Sequence, residues 1–366
     1  MRVVLDASPL IGQRTGVGRY VEGLVTGLVG LDQGPELAMA GFTLRGDRPE
    51  MGAPWVGPRI PASVLHALWR RGPVPPVEWL TGRADVFHGT NFLLPPLRGS
   101  AGVVTVHDLS FLLHADTVTP GVLRYRDQVP RALARASAVI CVSQAARTEV
   151  VEHLGLQGDL VHAIALGVDS SWSATSPPSP ARRSELGLPA DHLLFVGAVE
   201  PRKGLPTLLD ALRLLRAQGA DVPPLVLAGP AGWGPPIDEE GLAPGSLIRL
   251  GWVADPVLRE VVAGATALIL PSRYEGFGLP PLEAFACGTP VLASDLPVLR
   301  EVSGSLATYA PAGDVEAFAE GILALLQHDG GPAARAERRA RAASFTWARC
   351  AARTLEVYTS VASSAR

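Results

Sequence analysis

Short apolar runs, each followed by a polar or glycine-bearing loop and then an amphipathic segment, recur along the chain. In the first half they are Arg2–Leu5, Val86–His88, Gly102–Val106 and Ala138–Val142; in the second, Leu193–Val196, Leu225–Ala228, Leu247–Leu250, Leu268–Leu270 and Pro290–Ala293. Most lack polar alternation, as strands buried on both faces require. Gly18–Leu31 and Leu123–Arg135 between them have helical apolar spacing, and Ser143 suits a helix N-cap. Strands alternating with helices predict parallel α/β sheets. Such sheets hold ligands at the carboxyl ends of their strands, so the loops after Leu5, Phe87, Val106, Val196 and Leu270 are the expected sites.

A chain of 366 residues is too long for one ordinary domain. The Ser- and Pro-rich stretch SSWSATSPPSP marks a linker over 171–183, which separates a domain over 1–170 from one over 184–345. The final stretch from residue 346 reads as a helix containing Trp347, Leu355 and Tyr358.

Charge and cysteine usage exclude several classes. A net charge of −3 argues against nucleic-acid binding, which needs a basic face. No long uncharged apolar run is present to span a membrane, and the N-terminus enters a strand pattern directly, without the apolar core of a signal peptide. Cys141, Cys287 and Cys350 are widely spaced and suit a reducing cytoplasm, without zinc-ligand spacing. The run His66-Ala67-Leu68-Trp69-Arg70-Arg71 predicts a helix packing on its own domain; weak peripheral contact with an anionic membrane is the second reading.

Two loops concentrate chemistry. After Leu270 come Glu275, the glycine-rich Gly276-Phe277-Gly278-Leu279, then Pro280 and Pro281 in what reads as a helix's first turn, and Glu283 within that helix. A carboxylate can clamp a vicinal diol with paired hydrogen bonds, and a helix N-terminus attracts an anion. Two such clamps around an anion site suit a nucleotide sugar; two surface glutamates are the plainer alternative. After Val196, Arg202 and Lys203 sit in a glycine-bounded loop, where a forked and a compact cation suit a diphosphate. Of 32 basic residues only Lys203 is lysine, and Asn91 is the only asparagine. The glycines Gly16 and Gly18 fail as a dinucleotide fingerprint, because Val21 stands where a third small residue is needed.

These motifs are specific in combination. EGFGLPPLEA followed by CGTPVLASD, and VGAVEPRKGL, resemble the signatures of the family 4 retaining glycosyltransferases; within that family TGVGRY, FHGTNFLLPP and VHDLSF together look most like bacterial mannosyltransferases of surface polysaccharide assembly. The resemblance implies the GT-B fold: two Rossmann-like parallel-sheet domains facing across a cleft, the N-terminal one for acceptor and the C-terminal one for donor. It also implies a last helix, 346–366, returning to the N-terminal domain. By the same resemblance Glu275 contacts the donor sugar, Glu283 holds the ribose, and Arg202 and Lys203 bind the diphosphate. Many relatives carry an arginine directly after the loop glycine; here Ala198 stands there, which leaves that work to Arg202. Gly16 and Gly18 match a TGxGRY loop that approaches the donor or acceptor, and His107 a histidine near the reacting carbon. Trp252 and Val253 match the loop that covers the base, and Asn91 is an acceptor-side candidate.

The expected reaction is transfer of a hexose, mannose from GDP-mannose in the favoured reading, with UDP- and dTDP-sugars open. The acceptor would be a saccharide or lipid-linked saccharide. A sugar phosphorylase or nucleotide-sugar epimerase with the same donor cleft is the alternative. No cofactor or metal is expected, since no acidic metal motif is seen and Arg202 and Lys203 can stabilise the leaving diphosphate. The expected location is cytoplasmic, at most peripheral at the inner membrane face.

Overall fold

The computed structural model describes residues 1–12, 15–44, 46–328 and 330–364. Two compact units account for the chain. The first comprises Met1–Leu112, Gly121–Gly167 and the stretch from Phe345 on; the second comprises Leu113–Pro120 and Val168–Ser344.

Among the described residues the first unit holds one parallel sheet. Its strands are β1 (Arg2–Asp6), β2 (Glu36–Ala40), β3 (Trp55–Val56), β4 (Val86–Gly89), β5 (Ala101–Val106), β6 (Ala138–Cys141) and β7 (Val161–Ala163), in the order β3-β2-β1-β4-β5-β6-β7. The chain steps outward from β1 through β2 and β3, then returns to the other side of β1 as β4, where Leu5 pairs with His88. The β1 and β4 loops therefore diverge at a topological switch point, the crevice where such sheets take ligands.

The second unit repeats the plan. Its strands are β8 (Leu193–Val196), β9 (Leu225–Ala228), β10 (Leu247–Gly251), β11 (Ala267–Leu270), β12 (Val291–Ser294) and β13 (Thr308–Ala310), ordered β10-β9-β8-β11-β12-β13. Here β8 and β11 flank the switch, with Leu194 beside Leu268. Phe195, Leu208, Leu225, Ile269 and Phe318 fill the core on one face of this sheet.

The helix Trp347–Ser364 folds with the first unit. Trp347 lies where the helix Gly16–Val29 has no side chain: a Cβ at Gly23 would come within 2.1 Å of its ring. Tyr358 is fully buried and bonds His88 Nδ1 through its hydroxyl at 2.6 Å. His88 Nε2 meets Thr105 Oγ1 at 2.7 Å, and Tyr20 Oη meets the same Thr105 oxygen at 2.9 Å. Burial pushes the His88 pKa down to about 3, so the ring is neutral.

The stretch 171–183, expected as linker, carries structure. Asp169 Oδ1 accepts from Ser171 N and starts the helix Ser170–Ala174; Ser179 Oγ accepts from Arg182 N and starts Pro180–Leu186. Trp172 is buried and its carbonyl accepts the Cys287 thiol, which ties this stretch into the second unit. All three cysteines are free and buried, as core fillers should be.

Candidate functional site

The switch point of the second sheet brings the two chemistry-bearing loops together. After β8 the chain passes Gly197 and Glu200, makes one tight turn over Pro201–Lys203, and reaches Gly204 with φ 66°. Only glycine fits there, because a Cβ would lie 1.9 Å from Pro271 O on the β11 loop. Arg273 N donates to Arg202 O at 2.8 Å, which fastens the loops a second time.

Across this seam the Lys203 ammonium donates to both oxygens of Glu275, at 2.8 and 2.9 Å. Ser272 Oγ donates to Glu275 Oε1 at 2.6 Å, and Arg202 Nη1 stands 3.6 Å from Oε2. Arg202 Nε donates to Glu200 Oε2 at 2.8 Å. Glu275 and Glu200 are both buried. Burial raises the Glu275 pKa, but Lys203 and Arg202 outweigh it and hold the carboxyl below the ordinary glutamate range. For Glu200 burial prevails over the same two cations, and its pKa is raised. The two expected diphosphate cations are thus each paired with a carboxylate. A lysine has three N–H donors, so Lys203 keeps one beyond its Glu275 pair.

Gly278, at φ 108°, caps the helix Leu279–Cys287. Pro280 and Pro281 follow Leu279 at once and bring no N–H, so the donors of this turn come from Gly278 and Leu279. The turn therefore offers fewer N–H donors than a helix N-terminus does in general. Phe277 is buried and Gly276 half-buried. Glu283 is buried on that helix at 4% exposure, and its charge adds to burial in raising the Cys287 thiol pKa to about 12. Trp252 is 52% exposed after Gly251 with φ 65°, and Val253 is half-buried beside it. Sequence reasoning passed over Glu200 and Ser272 as partners of this cluster, although Glu200 lies within VGAVEPRKGL and Ser272 stands three residues before Glu275. It also missed His114, whose ring lies 4.6 Å from that of Tyr274. His114 belongs to Leu113–Pro120, which folds with the second unit, and no local signal marks that excursion.

The remaining candidates lie in the first unit. His107 donates from Nε2 to Thr90 O at 2.9 Å, edge-on to Tyr20 and Phe92. Burial lowers its pKa, so it stands as a neutral imidazole with Nδ1 as acceptor. Gly16 and Gly18 are not in a flexible loop: they form the first turn of the helix Gly16–Val29, with open space beside Gly16. Gln13 and Arg14 of the same motif lie outside the described residues. Asn91 lines a cavity that also borders Asp6 and Ser8. Phe92, next to it, holds φ 62°, unusual for an aromatic residue, with its ring packed on Tyr125 and Phe111. Asp6 and Asp108 brace their own loops, each accepting from the serine N–H two residues on.

Among the described residues no group of three or more His, Cys, Asp or Glu is placed to hold a metal ion.

Comparison with known proteins fits this geometry. A family model for glycosyltransferase family 4 matches residues 14–172, and one for glycosyl transferases group 1 matches 190–328. The O-antigen chain mannosyltransferase B of Escherichia coli is 33% identical over 281 residues, covering 75% of this chain and 74% of that protein. The chain belongs to glycosyltransferase family 4. Its fold is GT-B: sucrose-phosphate synthase from Thermosynechococcus elongatus superposes with a TM-score of 0.75 at 20% identity, covering 99% of both chains. Anabaena HepE in complex with UDP-glucose gives 0.72 at 19% identity, over 98% of this chain and 99% of that one. This glycosyltransferase is a hexosyltransferase, and none of its described helices is long and apolar enough to cross a membrane.

Proposed function

We propose that this glycosyltransferase moves mannose from GDP-mannose to a saccharide or lipid-linked saccharide, with retention at the anomeric carbon. The observation that carries the reading is the Glu200–Arg202–Lys203–Glu275 cluster at the β8/β11 switch point. Glu275 would meet the donor sugar's hydroxyls, Glu283 the ribose, and Trp252 with Val253 the base. Arg202, the third N–H of Lys203 and the Gly278 and Leu279 N–H groups would meet the diphosphate. The likeness to the Escherichia coli mannosyltransferase supports mannose. Of the first unit's residues, His107 is proposed for the donor hexose near the reacting carbon, Gly16 and Gly18 for the donor, and Asn91 for the acceptor.

The chemistry needs no base from the protein. The bond from C1 to the phosphate oxygen breaks as the acceptor oxygen bonds C1 on the same face, and the departing phosphate oxygen takes the acceptor's proton. Arg202 and Lys203 stabilise the charge that develops on the leaving group. Neither Asp6 nor Asp108 is offered as a covalent nucleophile, since each is committed to its own loop. With cations supplied by side chains, transfer is proposed to proceed without a metal.

The helix Ala62–Arg71 exposes Val64 and Leu68 together with Arg70 and Arg71, which supports weak contact with an anionic membrane at its cytoplasmic face.

The test is a donor panel of GDP-mannose, UDP-glucose and a dTDP-hexose with excess EDTA, followed by NMR of the product. A mannoside of retained configuration formed from GDP-mannose alone is expected. Preference for another donor, an inverted centre, or activity that EDTA abolishes and magnesium restores would each overturn the corresponding part. Phosphorolysis of a disaccharide, or epimerisation of the donor without acceptor, would establish the alternative reading.

A further inference from the structure

The first sheet has its own switch point, between β1 and β4, and a cavity of about 210 Å³ opens there. One ordered water needs only ~10–15 Å³, so this space suits a ligand. It is bordered by Asp6 from the end of β1 and Asn91 from the loop after β4. Phe42 and Trp69, packed edge to face at 6.1 Å, supply an aromatic wall.

Three arginines also line it, Arg70, Arg131 and Arg135. Arg70 and Arg131 are exposed and so stand at the mouth, and among the described residues neither pairs with a carboxylate. Arg135 is anchored by Nη2 donating to Leu94 O at 2.6 Å. Arg131 in the last turn of the helix Tyr125–Leu133 and Arg135 just past its end place two like charges at one cavity. Partial burial, and then Arg131, lowers the Arg135 pKa. Among the described residues the one acid of the lining, Asp6, is already engaged by the N–H and hydroxyl of Ser8.

We infer that the acceptor is a phosphorylated saccharide, its ring against Phe42 and Trp69, its hydroxyls toward Asp6 and Asn91, and its phosphate on Arg70, Arg131 and Arg135. Planar forked cations suit phosphate, and aromatic faces suit a sugar ring. The inference rests on the proposed transferase reading and names the acceptor chemistry for it. A free sugar phosphate and a prenyl diphosphate-linked sugar share that chemistry.

The experiment titrates the full chain with α-mannose 1-phosphate, methyl α-mannoside and a short-chain prenyl diphospho-mannoside, with the donor site saturated by nucleoside diphosphate. Both phosphorylated ligands, or the prenyl one alone, should bind at least about tenfold more tightly than the methyl glycoside, the effect of a charge-assisted hydrogen bond. Binding of both indicates a free phosphate source; binding of the prenyl compound alone indicates a lipid-linked one. Arg70→Ala and Arg131→Ala should each remove that preference while nucleotide affinity stays unchanged, and Arg131→Lys should restore part of it. Equal affinity for the methyl glycoside, or a preference indifferent to both alanine variants, would overturn the inference. Wild-type protein that binds no nucleoside diphosphate would instead count against the transferase reading, which that separate titration reports.

Discussion

Lys203 and Glu275 stand 72 residues apart in the chain, and the ammonium of one contacts both oxygens of the other within 2.9 Å. Both side chains are largely buried, 11% and 6% exposed. The pair is therefore a structural joint between two loops as well as chemical equipment.

Removing one partner should expose that joint. Lys203→Met leaves the buried Glu275 with the Ser272 hydroxyl and the more distant Arg202 and should cost about 3–5 kcal/mol of stability. Adding Glu275→Gln should return part of the loss, with a coupling of at least ~1 kcal/mol in urea denaturation. Turnover of the Lys203 variant should fall ~10²–10³, the cost of losing one transition-state donor. Additive losses would show that the two groups do not support one another.

Acid should act on the same carboxylate. Its folded pKa is depressed, so the unfolded chain binds the proton first as pH falls. The stability this group supplies is then complete above 4.5, the ordinary glutamate value, and lost as pH falls through the lower folded value. Denaturation midpoints between pH 7 and 3 should slope more steeply in the wild type than in Glu275→Gln. Parallel curves would contradict the assignment.

Gly204 offers a test of the loop seam that leaves every charge in place. Gly204→Ala puts a Cβ where Pro271 O stands and asks alanine to hold a φ of 66°. The loops must separate, with a loss above about 2 kcal/mol and weaker nucleotide binding. Alanine tolerated within 0.5 kcal/mol, the scale of a neutral surface change, would mean the seam yields freely.

Glu283 carries the proposed ribose contact, shared by donor and free nucleotide. Glu283→Ala should weaken nucleoside diphosphate binding by roughly 1.5–3 kcal/mol, the range for hydrogen bonds to charged groups. Calorimetry on a folded variant with unchanged affinity would remove Glu283 from the site.

Residue types and local punctuation made much of this molecule legible. Strands β8, β9 and β11 follow from apolar runs, and Ser143 caps its helix as its hydroxyl predicts, accepting from Ala146 N at 3.0 Å. Strands β2, β3, β7 and β13 were not read: Trp55–Val56 is too short to show a period, and Glu36–Ala40 is rich in alanine, a weak strand former. Arg202, Lys203 and Glu275 were readable as chemical groups, but their mutual pairing was not. It depends on β8 lying beside β11, a fact of topology that no local window contains. The arginines of the first cavity were hidden for the same reason, since Arg70 and Arg131 come from helices far apart in the chain.

The bond between His88 and Tyr358 joins groups 270 residues apart, and every residue of the second unit is synthesised between the start of the first and its last helix. On a ribosome adding about 5–20 residues per second, His88 waits on the order of 15–55 s for its partner. During that interval the glycine groove that receives Trp347 is open to water, and the sheet beneath it lacks its final cover. The second unit can close as soon as Ser344 emerges, so it is the half that matures first. The unit that contains β1 finishes after the second, and a ribosome stalled between Ser344 and Tyr358 would hold a chain whose first sheet is uncovered and ready to aggregate.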